Sequence, residues 1–192
     1  REMGRKKFFL CIVSGICLAV HFTTWFESLQ HTSVASSTAI VCTEVIWVSI
    51  GYCLFMKGKL SGKILLCIAV MVMGSMLIAF SDSTAGAKHL YGDILALLAA
   101  VAVAGYTLIG KEVRKTMTTT AYTYIVYVTC AFVLVGTAAV QGYRISDFTS
   151  GSVMAGFLLA LVSTILGHSV FSWCLKYFSP SFVAGTRLCE PV

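Results

Sequence analysis

Val34–Met56 reads VASSTAIVCTEVIWVSIGYCLFM, 23 residues carrying one charge, Glu44. About 20 apolar residues carry an α-helix across the hydrocarbon core of a bilayer. This run is continuous rather than alternating, which reads as a helix and not as a barrel strand. Outward from it lie five runs of the same kind: Phe8–Leu29, Ile64–Phe80, Gly92–Gly110, Ala121–Gly142 and Val153–Phe178. A seventh begins near Ser181. Hydrophobic residues make up 58% of the chain and charged residues 11%, against roughly 25% charged in soluble domains. So few polar side chains cannot cover a soluble surface, and lipid is the solvent for most of it. Backbone groups in lipid must be paired internally, so the expected fold is all-α, a polytopic transmembrane helix bundle. Arg1 is not a start methionine and Val192 falls within an apolar stretch, so the bundle is expected to be truncated at both ends.

The charges orient it. Arg1, Arg5, Lys6, Lys7, Lys57, Lys59, Lys63, Lys111, Arg114, Lys115 and Lys176 fall on one side if every run crosses. Only Lys88 and Arg144 fall on the other, beside Asp82, Asp93 and Asp147. Cytoplasmic loops carry the lysine and arginine excess, so the Arg1–Lys7 end is cytoplasmic and the protein is multi-pass in a cell membrane, read as a bacterial inner or plasma membrane. The net charge of +6 belongs to loops near anionic lipid and not to nucleic-acid binding. All eight cysteines lie in apolar runs, where cysteine acts as a small apolar residue. Neither a metal nor a cofactor is expected. Ala96, Ala100 and Ala104 recur every fourth residue, a small-residue face of the kind that lets helices approach in lipid.

Two stretches resemble each other: HFTTWFESLQHTSVA from His21 to Ala35, and HSVFSWCLKYFSPSFVA from His168 to Ala184. With Trp25 on Trp173, Ser33 falls on Ser181, and a small gap then brings Glu44 onto Glu190. Each copy is a span ending in His and Trp, a polar turn, and a second span bearing a glutamate. By the charge count the first turn lies outside and the second inside, so the copies are inverted, as in many secondary transporters with a site at the midplane.

Those residues, with WFESLQHTSVASSTA and LGHSVFSWCLKYFSPSFVAGTRLCEPV around them, resemble the EamA family of the drug/metabolite transporter superfamily. The resemblance implies ten spans in two inverted five-span repeats. Residues 1–81 would then be the latter part of the first repeat, with three spans. Residues 92–192 would be the second, inverted repeat, with three spans and the start of a fourth. The chain would hold about spans three to nine. It implies a transporter, an exporter or permease, of small metabolites such as amino acids or amphiphilic cations.

An ionisable residue within a span is costly and marks a functional site by default. Glu44 is the deepest acid, a cavity carboxylate for a substrate amine or a coupling proton, or a hydrogen bond to a neighbouring helix. Thr43 adjoins it, and Trp47 lies near enough along a helix to share its face. Glu190, beside Pro191, and Arg187 stand three residues apart, as a local pair or as a site in which Arg187 attracts an anionic group. His21 and Trp25 are one turn apart. His21 can bind or pass a proton, while Trp25 reads as an interfacial belt residue or as a platform for a ring or cation. His168 is a candidate too, though Gly167 beside it points to close helix contact. The expected partners are a small-molecule substrate and the lipid bilayer. Coupling to a proton through Glu44 or His21 and uncoupled exchange both fit.

The alternatives are an intramembrane enzyme and a non-transporting membrane scaffold. An enzyme needs a nucleophile with its base, or a metal cluster. The sequence has no His-Glu-x-x-His run, no Gly-x-Ser-x-Gly run and no pair of aspartates within spans.

Overall fold

The computed structural model describes residues 4–82, 87–142 and 148–187. Every element among them is helical: α1 (Arg5–His31), α2 (Val34–Cys42), α3 (Glu44–Met56), α4 (Gly62–Asp82), α5 (Ala87–Arg114), α6 (Thr119–Val140), α7 (Ser150–Leu159), a π-helical segment (Ala160–His168), α8 (Ser169–Cys174) and α9 (Pro180–Thr186).

 Among the described residues, five stretches are long and apolar enough to cross a membrane: Arg5–His31, Val34–Met56, His89–Arg114, Thr119–Val140 and Ser150–Cys174. α4 adds the shorter apolar stretch Gly62–Gly74. The runs read from the sequence therefore fold as helices, and two of them are broken inside.

The turns follow from local chemistry. Ser33, Thr118, Thr149 and Ser179 are extended, and each side chain accepts a hydrogen bond from an amide of the helix it precedes, supplying a partner that the first turn lacks. Pro180 occupies the first turn of α9, where its missing N–H costs nothing. α3 ends at Lys57 in the left-handed region, φ 51°.

α1 and α5 form the central pair, with α6 against α1 and α2–α3 along α5. The alanine face is buried there, with Ala96, Ala100 and Ala104 at most 2% exposed. Two glycines make the close approaches. A Cβ on Gly15 would lie 2.8 Å from Val126 O of α6, and one on Gly92 2.8 Å from the backbone of His31. Hydroxyl pairs link helices: Ser14 with Tyr122 at 2.7 Å, Ser28 with Ser37 at 2.6 Å, and Tyr106 with Ser172 at 2.8 Å. Such bonds contribute about 0.6–2 kcal/mol each in a membrane. Leu54, Phe55, Phe132 and Val135 are exposed, as the lipid face of a bundle requires.

Arg114 departs from the loop charge expected of it. It is buried, its Nε donates to Ser172 O at 3.0 Å, and its Nη1 donates to Met117 O. Lys111 Nζ donates to Leu175 O and Phe178 O, both at 2.8 Å. The basic end of α5 thus satisfies carbonyls at the end of α8 and in the turn that follows it, where a helix leaves its last carbonyls without intrahelical partners.

Candidate functional site

The span Val34–Met56 breaks at Thr43. Its backbone N–H turns back to Ile40 O at 3.0 Å, and its Oγ1 donates to the same carbonyl at 2.6 Å. Back-bonding of this kind bends helices. The break leaves Glu44 in the first turn of α3, where the positive end of the helix dipole favours a carboxylate.

Across from it stands Arg187, which follows α9. Arg187 Nη1 donates to Glu44 Oε1 and Oε2, both at 3.1 Å. The two side chains are 8% and 4% exposed, so this is a buried ion pair. The guanidinium also lies 4.6 Å from the ring centroid of Phe171, within the range of a cation–π contact. Of the two readings weighed for Arg187, the local pair involves Glu190, which lies outside the described residues. The observed partner is Glu44, on a different span.

The pair borders a cavity of about 290 Å³, lined also by His21, Trp25, Thr38, Ser163, Gly167 and His168. Small-molecule sites run to roughly 300–1,000 Å³, so this one suits a small solute. His21 Nδ1 lies 3.0 Å from Ala99 O. A carbonyl only accepts, so Nδ1 carries a hydrogen and donates it. His21 stacks on Trp25 with centroids 5.7 Å apart, as their one-turn spacing allows. Trp25 Nε1 and His168 Nδ1 are buried and find no hydrogen-bond partner among the described residues. His168 stands edge-on to Phe22 and Tyr106, at 5.6 and 5.8 Å.

The fold thus brings Glu44, Arg187, His21, Trp25 and His168 together. It does not bring Thr43, whose hydroxyl is taken by Ile40 O. Nor does it bring Trp47, which packs beside Val45, Val48, Ala104 and Ala184. Sequence reasoning missed Phe171 and Ser163 as cavity residues. For Phe171 a signal existed, since it stands three residues after His168 and so shares its helix face.

The chemistry is that of a charge-balanced site. Glu44 and Arg187 offset each other, while the imidazoles, the indole and the hydroxyls of Thr38 and Ser163 offer further donors and acceptors.

The family model described as "EamA-like transporter family" matches residues 90–192. A curated relative, named an uncharacterized transporter, YwfM, of Bacillus subtilis (strain 168), is 24% identical across 95% of this chain. The chain spans 62% of that relative's length.

Proposed function

The chain belongs to the EamA-like transporter family, and from that membership we propose that its cavity carries a small, bipolar, net-neutral metabolite across the membrane by alternating access. The observation that carries this reading is the buried Glu44–Arg187 pair beside the cavity. An isolated organic cation that binds Glu44 has to draw it away from Arg187 and offers the guanidinium nothing in exchange. Removing one partner of a buried pair costs about 3–5 kcal/mol, a factor of roughly 100 to 1,000 or more in affinity. A solute with both an ammonium and a carboxylate offers each partner a replacement. Of the two substrate classes implied by the resemblance, amino-acid-like solutes are therefore favoured over amphiphilic cations.

Glu44 and Arg187 stand on the two segments read as inverted repeats, 1–81 and 92–192. Rocking of one half against the other around a midplane site would make and break the pair as the cavity changes sides. A proton carried through Glu44 has to enter the same exchange.

The test uses the full-length protein in sealed liposomes, with solute flux and internal pH followed together for wild type and Glu44→Gln. Flux of a bipolar solute is expected to fall about a hundredfold in the variant. A fully active Glu44→Gln removes the carboxylate from the site. Proton movement lost with Glu44 puts it in the coupling path, and flux without proton movement leaves a transporter with no coupling. No flux of any solute through folded protein favours the enzyme or scaffold alternatives.

A further inference from the structure

The span Ser150–Cys174 is α-helical at both ends and π-helical from Ala160 to His168. π turns are rare and occur frequently at functional sites. Here Ser163, Gly167 and His168 line the cavity, so part of its wall is a widened turn. Tyr127 of α6 reaches that turn. Its hydroxyl donates to Thr164 O at 3.1 Å and lies 3.1 Å from Ser169 Oγ. The tyrosine has one hydrogen, which the carbonyl takes, so Ser169 donates to Tyr127 Oη. One hydroxyl therefore bridges the π segment and the first residue of α8.

The two flanks are held unequally. α8 and the turn after it are fastened to α5 by the Tyr106–Ser172 hydroxyl pair, by Arg114 on Ser172 O, and by Lys111 on Leu175 O and Phe178 O. α7 has no substantial packing against another described α-helix. None of its residues is buried.

We propose that Ala160–His168 is a π-to-α switch in the cavity wall, and that the Tyr127 hydroxyl is the latch that holds the π form. Rewinding a widened turn into α-helix gives the helix one more residue of length, about 1.5 Å of rise and 100° of rotation. α8 is clamped, so the movement goes to the α7 side. Each residue there yields its place to the next one in the chain, and Thr164 turns towards the place that Ser163 held. His168, beside α8 and bracketed by Phe22 and Tyr106, stays. Tyr127 is thus a positioning residue, and it sets which side chains of this span face the cavity. The inference rests on the transporter reading only for its consequence in flux.

The experiment places single cysteines at position 163 or 164 of the full-length protein, with the native cysteines replaced, in sealed liposomes. Each is labelled with a membrane-impermeant methanethiosulfonate, and flux of the solute panel is measured in parallel. With Tyr127 intact, Ser163→Cys is expected to label faster than Thr164→Cys. In Tyr127→Phe the order should reverse, with labelling at 163 down about tenfold. Ser169→Ala, which removes only the second partner, should shift the pattern part of the way and serves as the companion variant should Tyr127→Phe not fold. An unchanged pattern in folded variants overturns the latch whether or not flux is lost, because Tyr127 then only satisfies a carbonyl. A shifted pattern with unchanged flux sustains the latch and counts against the cavity as the solute's path.

Discussion

Glu44 and Arg187 stand 143 residues apart in the chain, and burial makes each depend on the other. Glu44→Gln or Arg187→Gln alone removes one member of the buried pair, and each is expected to lose about 3–5 kcal/mol of stability. The double replacement removes both charges and should recover most of that loss while leaving transport inactive. Thermal unfolding of the four proteins in one detergent reads the coupling between them. Additive losses would mean that the pair contributes nothing as a pair. Part of this site is legible in sequence. Glu44 stands out because an acid within a span is costly, and His21 with Trp25 because they sit one turn apart. Arg187 is legible as a residue but its partner is not, since no periodicity links two residues so far apart and a nearer acid, Glu190, fits the same spacing. Trp47 shows the limit of face arguments: it follows Glu44 by three residues on α3, yet it packs beside Val45, Val48, Ala104 and Ala184.

Among the elements, the runs of apolar residues locate helices well, because length and composition decide what crosses lipid. They say little of what happens inside a span. The stretch Ala160–His168 is as apolar as the α-helix before it, and i→i+4 or i→i+5 bonding makes no difference to that composition. The π form is held by a hydroxyl from another span and so cannot be read locally. The break at Thr43 is a different case: a threonine that bonds the carbonyl three residues back is a local signal, read here only as a neighbour of Glu44. Close packing gives an element-scale prediction. A Cβ at Gly15 would lie 2.7 Å from Thr129 Cβ and 2.8 Å from Val126 O, while one at Gly136 would meet nothing within 4 Å. Gly15→Ala should cost about 1–3 kcal/mol by overpacking, seen as a lower unfolding midpoint in detergent, and Gly136→Ala should cost nothing. Equal effects would mean that α1 and α6 are free to move apart at this point.

For the whole molecule, the charge bias of the loops and the inward set of polar groups describe one object, a bundle with lipid outside and a small balanced site within. Its basic side does more than set orientation, since Lys111 and Arg114 fasten the end of one span to another. On the proposed reading, selectivity follows from the Glu44–Arg187 pair, which disfavours a solute that engages only one of its members. The most direct measurement compares three solutes with the same side chain in liposomes containing the full-length protein: an amino acid, its methyl ester, and its N-acetyl derivative. Flux is taken above that of protein-free vesicles. The zwitterion is expected to move at least about a hundredfold faster than the cationic ester or the anionic N-acetyl compound. An ester that moves as fast as the amino acid would contradict the charge-balanced site.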